Sequence, residues 1–363
     1  MMPGGEESPH EASLGLLYHL LRDKDPKGLD ELDPGEHALR RLILLADYAW
    51  RSYDLAPSTK AHLDSFVIDA LAADRGRPWR ALGSAPPGTK PVSTKTVDVA
   101  ILTILLEEFE ATVTAFGALP TTSARTSQPF YEASVSCEHS PEALSVVITK
   151  AARPLNVHAA APLARLREYY RPVITILVGI AAGHPGKVSL GDVVVPRNVL
   201  YYEPARLTAT GLQLRPEHTA PPDPYLYGFD LYDADAGPFG DRMGSHFAEL
   251  PIDRRPQIES DAFQPAVHGA NTSIASGEVV LRDGSLIGAL RDRFDEKIHA
   301  VDQESYGFAE SSRGTSWLIF RGISDYGDPD QPRGWKRLAA ASAAHCLRDF
   351  LERGYLPANS SGF

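Results

Sequence analysis

The chain has 363 residues, 43% of them hydrophobic, which is enough for two domains and certainly for one large buried core. Its 36 basic against 47 acidic residues give a formal charge of −11, which excludes a broad phosphate-backbone footprint and with it general nucleic-acid binding, while leaving room for a local basic pocket. Cys137 and Cys346 lack metal or redox spacing, no apolar run reaches the ~20 residues of a bilayer span, and the acidic start lacks the basic region of a signal peptide, so the expectation is a cytoplasmic protein that engages no membrane.

Across residues 11–74 apolar side chains recur at helical spacing, as in Leu14, Leu17, Leu20 and Leu21, then Leu39, Leu42 and Leu45, then Leu63, Phe66 and Leu71. This predicts three helices in a small all-α domain over 1–74, the second opened by Asp33 as N-cap and Pro34 at the first helical position. Residues 75–96 concentrate Gly, Pro, Ser and basic side chains without periodicity and read as a linker. From residue 97 the texture changes. A short apolar, partly β-branched run at 97–106 is followed by an acidic helical start at 107–116, the opening of an α/β unit. Further buried strands are expected at 144–149, 173–179, 193–199, 299–302 and 317–323, and helices at 159–169, 286–294, 304–312 and 335–353. Such alternation predicts an α/β domain over 97–363 with a mixed, mostly parallel central sheet flanked by helices. Residues 202–268 interrupt it with Pro, Gly, Asp and aromatic residues, and suit an insertion at the active site or an oligomer arm.

Two patterns lead nowhere. The glycine-rich run from Gly179 to Lys187 ends like a phosphate-binding P-loop, but Ala181 stands where its first glycine belongs and Val188 where it needs Ser or Thr. The 12 histidines never fall at a spacing that puts two imidazoles on one metal, so no metal and no cofactor are expected.

Five segments sit at or after expected strands, where an open parallel sheet places its ligand crevice. They are AILTILLEE at 100–108, VGIAAG at 178–183 running into LGDVVV at 190–195, IASGEVVL at 274–281, VDQESYGFA at 301–309 and RGISDYGD at 321–328. In this order and spacing they resemble the purine nucleoside phosphorylase and 5′-methylthioadenosine/S-adenosylhomocysteine nucleosidase superfamily, over residues 97–353. The first 95 residues are not covered.

Breaking a ribosyl C–N bond needs a proton on the departing purine, stabilisation of an oxocarbenium-like sugar and a positioned nucleophile. The resemblance implies three carboxylates for those tasks: Asp325 as the acid toward purine N7, Glu304 as acceptor of the ribose hydroxyls, and Glu108 as the residue that orients and activates water. Glu107 and Glu110 share the helical start of Glu108, so its register is open by one residue. The resemblance also implies substrate contacts from Gly179, Ile180, Ala181 and Gly183, from Val280 and Leu281 at the purine edge, and from Gln303, Ser324 and Arg321 near the sugar. Gln303 stands where many members carry Met, and Ala182 where Gly is usual. The segment 103–108 offers no cation and two carboxylates, which favours water over phosphate and so a nucleosidase over a phosphorylase.

The implied substrate is a purine nucleoside or nucleotide. Superfamily members act on methylthioadenosine, adenosylhomocysteine, adenine or guanine nucleosides, uridine, AMP and, in some stress or defence proteins, ATP. Arg206, Arg215, Arg242, Arg254 and Arg255 in the 202–268 stretch are candidates for a 5′-phosphate. A homo-oligomer is expected, with the helical segment as a protein-interaction adaptor. A catalytically silent nucleoside sensor is the reading of another class, and the presence of all three carboxylates speaks against it.

Overall fold

The computed structural model describes residues 94–121, 129–138, 140–208, 211–252, 255–258, 262–269, 271–328 and 334–356. The helices expected within 1–74, the linker up to residue 93, and Arg254 lie outside the described residues. In chain order the elements are β1 (Lys95–Thr103), α1 (Leu106–Phe116), β2 (Leu119–Pro120), β3 (Phe130–Cys137), β4 (Ser140–Lys150), α2 (Asn156–Tyr169), β5 (Tyr170–Gly183), β6 (Val193–Val194) and β7 (Asn198–Tyr201). There follow β8 (Ala205–Thr208), β9 (Gly211–Leu214), β10 (Glu217–Thr219), α3 (Asp223–Asp230), α4 (Phe239–Glu249), β11 (Val267–His268), β12 (Ser273–Ser276), α5 (Ser285–Arg293), β13 (Ile298–Asp302), α6 (Ser305–Ser311), β14 (Ser316–Asp325) and α7 (Trp335–Glu352). β1 thus begins at Lys95, two residues before the strand start expected at 97.

The central strands run as unbroken apolar stretches because both of their faces are covered. On one face Val99 and Ile101 of β1, Ile176 and Val178 of β5, and Leu318 and Phe320 of β14 pack with Ala115 and Phe116 of α1 and Leu347 and Phe350 of α7. Their neighbours Leu102, Leu177 and Ile319 point the other way, against Ala159 and Leu163 of α2 and Phe308 of α6. β1 runs parallel to β4 and β5, β14 parallel to β5, and β12 parallel to β7 and β13, while β3 and β10 add antiparallel edges.

One detail of the register prepares the site. A strand has two edges, and β14 takes one edge of β5 from Ile174 to Ala182. β1 and β13 therefore share the other in succession, β1 pairing through Leu177 and β13 arriving antiparallel at Ala182 and Gly183. Between them, around Gly179 to Ala181, that edge of β5 has no strand beside it.

The stretch over 202–268 packs on the domain through several short elements. β8 and β9 form a separate hairpin, β10 extends the main sheet, and α3 and α4 bury Leu226, Phe229, Phe239, Met243 and Phe247 in the core on α7. Pro and Gly there delimit these short elements. No helix of the described residues is long and apolar enough to cross a membrane.

Candidate active site

The open edge of β5 is filled by side chains. β1 ends just before α1, and the first amides of a helix lack intrahelical partners. Glu108, at the third position of α1, supplies them: its Oε2 accepts hydrogen bonds from the Ile104 and Leu105 amides, both at 2.8 Å. Its Oε1 reaches across and accepts from the Ile180 amide at 2.9 Å, taking the place a ladder partner would have. Of the three acids in this turn, Glu108 alone is buried; Glu107 is partly exposed and Glu110 lies on the surface facing Arg337. Burial pushes the Glu108 carboxyl above its ordinary pKa, against the pull of Arg321 and the three amides.

Arg321, from the middle of β14, is fully buried, and it is tolerable there because carboxylates surround it. Its Nη2 lies 2.5 Å from Asp302 Oδ2 and 3.1 Å from Glu304 Oε2, and its Nη1 lies 3.8 Å from Glu108 Oε1. Burial works against the guanidinium charge, and the three carboxylates outweigh it. Arg321 Nε and Nη1 have no hydrogen-bond partner among the described residues, which leaves donors facing the space beside Glu108. Gly179 makes the arrangement fit, since a Cβ there would collide with Arg321 Nη1 and Glu108 Oε1.

Asp302 ends β13 and Glu304 follows it. Asp302 holds Arg321 with one oxygen, and also accepts from the Ser305 hydroxyl at 2.5 Å and the Ser305 amide at 3.1 Å, which fixes the start of α6. Glu304 accepts at Oε1 from the Leu155 amide at 3.2 Å. Leu155 carries φ 88 and ψ 150, a region nearly reserved for glycine, so that donor is held at a cost in backbone strain. Burial pushes the Glu304 carboxyl up to about 7; Arg321 opposes this, and the charges of Asp302 and Glu108 add to it.

Asp325 ends β14 after a bulge at Ser324, where the register against β5 jumps from Ile323↔Ala181 to Asp325↔Ala182. An extra residue in a strand re-aims the side chains beyond it. The Ser324 hydroxyl donates to Asp325 Oδ2 at 2.8 Å and the Gly327 amide to Oδ1 at 2.9 Å.

No family model matches the chain. In sequence it is similar to the ATP nucleosidase Cap17 of Escherichia coli, 29% identical over 267 residues, covering 72% of this chain and 52% of that protein. The chain thus spans about half the length of the curated relative it matches. In structure it is similar to the S-adenosylhomocysteine nucleosidase of Streptococcus pyogenes, with a TM-score of 0.50 at 17% identity over 72% of this chain and 98% of the other. The 5′-methylthioadenosine/S-adenosylhomocysteine nucleosidase of Neisseria meningitidis aligns with a TM-score of 0.47 at 19% identity over 71% and 99%. The chain has the nucleosidase fold.

Within the nucleosidase fold, the residues singled out from sequence divide into three groups. Glu108, Glu304 and Arg321 meet in one buried cluster, and Asp325 with Ser324 lies four residues farther along β14 from Arg321. Gly179, Ile180 and Gly183 serve the protein itself: Gly179 makes room for Arg321 and Glu108, the Ile180 amide holds Glu108, and a Cβ on Gly183 would run into Val188 and Ile323. Ala181 is buried in the core between them. The third group flanks the crevice, with Val280 58% exposed, Leu281 beside Gly327, and Gln303 donating to the Glu278 carbonyl at 3.1 Å. Sequence reasoning passed over Asp302, Leu155 and Asn156. Asp302 had a signal, two residues before Glu304 at a strand end; nothing in the sequence marks the other two.

Of the arginines considered for a 5′-phosphate, Arg242 faces Glu352 at 2.5 Å, and Arg255 donates to the Ala248 and Leu250 carbonyls and lies over the Phe247 ring. Both are structural. Arg206 and Arg215 are exposed, on and just after the β8–β9 hairpin.

Proposed function

We propose that this chain hydrolyses the N-glycosidic bond of a purine nucleotide, with ATP favoured by the similarity to an ATP nucleosidase. The observation that carries the reading is the charge balance at Arg321: three buried carboxylates stand against one guanidinium. A buried site with surplus negative charge favours a sugar on which positive charge grows as the bond breaks, and it disfavours an entering phosphate dianion. In this reading Asp325 gives a proton to purine N7, Glu304 accepts the ribose hydroxyls, and Glu108, its basicity raised by burial, takes a proton from water. Hydroxide then adds to the anomeric carbon as the C–N bond breaks, and the base leaves with the bonding pair and the proton from Asp325.

The test is incubation with adenine and guanine nucleosides and their 5′-phosphates, with and without inorganic phosphate, measuring free base and the sugar product. Equal rates of base release without phosphate, and a sugar unmodified at its anomeric carbon, are expected. Strict phosphate dependence with a sugar 1-phosphate product would replace hydrolysis by phosphorolysis. The proposal extends to assembly, with self-association of the nucleosidase-fold domain and a recruiting role for residues 1–74. A chain starting at Pro91, which retains all of β1, should keep base release and lose partner binding.

A further inference from the structure

The loop after β12 is held at its root and free at its tip. At the root, the Gly277 amide donates to the Asp302 carbonyl at 3.0 Å and the Gly277 carbonyl accepts from Asn156 Nδ2 at 3.2 Å. The Glu278 amide donates to Glu203 Oε1 at 2.7 Å, and the Glu278 carbonyl accepts from Gln303 Nε2 at 3.1 Å. All four backbone groups of Gly277 and Glu278 are therefore engaged, by residues from β7, α2 and β13 or the turns beside them. The ring of Tyr202 lies against Gly277 and leaves no room for a Cβ there.

Beyond Glu278 the pattern reverses. The backbones of Val279, Val280 and Leu281 make no hydrogen bond among the described residues, and the two valines are 61% and 58% exposed. The Leu281 side chain nevertheless lies beside Gly327, whose amide donates to Asp325, so the loop reaches the turn that holds the proton donor of the proposed reaction. A purine edge is a short row of donors and acceptors, and a fixed row of unpaired backbone groups discriminates between such edges only if it cannot shift.

We propose that Glu203 and Gln303 are positioning residues for base selection, fixing the Glu278 peptide so that the backbone of Val279 to Leu281 meets one purine edge and rejects its donor–acceptor inverse. Neither side chain touches the base. Gln303 lies between Asp302 and Glu304, so the same turn that presents a carboxylate to the sugar also anchors the base loop. This assignment rests on the hydrolase reading above, and one set of variants tests the two separately.

Full-length Gln303→Met, Glu203→Ala and Glu203→Gln are compared with the parent for ATP and ITP hydrolysis, for adenine and hypoxanthine binding by calorimetry, and for amide exchange over residues 277–284. Gln303→Met and Glu203→Ala should raise KM for the preferred base by about tenfold, leave kcat within about threefold, narrow the adenine/hypoxanthine preference and speed exchange of the Gly277 and Glu278 amides. Glu203→Gln keeps an acceptor oxygen and should behave as the parent, which a role resting on the carboxylate charge would not permit. Unchanged selectivity in both loss variants overturns the assignment, as does a parallel fall in KM-independent turnover and melting temperature. A parent that binds adenine without releasing base overturns hydrolysis while the binding preference still decides the loop; a parent that binds no purine overturns both.

Discussion

Two buried charge clusters in this chain look alike and differ in sign. At the crevice, Arg321 is enclosed by Glu108, Asp302 and Glu304. On α7, the fully buried Asp349 is approached by Arg242 and Arg353, each at 3.9 Å, and accepts a hydrogen bond from the Tyr232 hydroxyl at 2.9 Å. Burial raises the pKa of the Asp349 carboxyl as it does those of Glu108 and Glu304. A perturbed carboxyl therefore does not by itself separate the two clusters. What separates them is balance and place: the α7 cluster offsets its two carboxylates, Asp349 and Glu352, with Arg242, Arg348 and Arg353 inside the packing of α3, α4 and α7, whereas the crevice cluster keeps a surplus of carboxylates beside an open edge of β5. Structural clusters close their own charge, and the surplus at the crevice is what a cationic transition state would complete.

The largest effect that would sharpen this contrast is expected at Asp325. Asp325→Asn keeps the shape and the hydrogen bonds of Ser324 and Gly327 within reach but cannot deliver a proton, so base release should fall by about 10³-fold or more with little change in melting temperature. Retained activity would remove Asp325 from the chemistry. Next in size is Glu304→Gln, for which turnover should fall about 10²-fold, because the surplus charge is reduced and a hydroxyl acceptor weakened; a change confined to KM would mean that Glu304 only binds.

The third expectation is a pair of opposed pH profiles. The Glu304 carboxyl is held up to about 7 in the folded chain, so between its ordinary range and that value the folded state holds the extra proton and stability falls as pH rises through the window. Activity should run the other way, rising through pH 7 as Glu304 ionises. Melting temperature and base release, both measured from about pH 5.5 to about pH 8, should cross, and Glu304→Gln should flatten the stability profile. Parallel profiles would show that the surplus charge is not what limits either.

The smallest expected effect on activity belongs to the other cluster. Asp349→Ala removes the carboxylate acceptor of the Tyr232 hydroxyl and should cost about 1–3 kcal/mol of stability, measured by denaturant unfolding, while base release per folded molecule stays at the parent level. A loss of turnover at constant stability would erase the distinction between the clusters.

Much of the sheet and helix order was legible because buried parallel strands declare themselves as unbroken apolar runs, and VDVAILT, VITILVG and WLIFRGI are such runs. The carboxylates stood out through the motifs that carry them, and of the three acids opening α1 only Glu108 is buried. The short elements inside the 202–268 stretch were not legible, since its strands are two to four residues long and its helices are separated by Pro and Gly. The small residues of β5 were legible as small but not in their purpose. Nothing local says that Gly179 yields its space to Arg321, because that contact depends on a strand more than a hundred residues later in the chain. The strained Leu155 is illegible for the same reason: a leucine in a glycine-like conformation is set by what it must reach, Glu304, and not by its own neighbours.

The position of β14 also has a consequence for how the molecule comes to life. Among the described residues it is the last strand in sequence, yet it lies inside the sheet between β5 and β6 and brings Arg321 and Asp325 with it. Everything earlier in the chain, Glu108, Asp302 and Glu304 included, can be synthesised while the carboxylates still lack the guanidinium that lets them sit together. Pairing of β14 with β5 closes contacts of long sequence separation, a slow kind of step in folding. The charge cluster around Arg321 is therefore complete only once β14 has docked against β5.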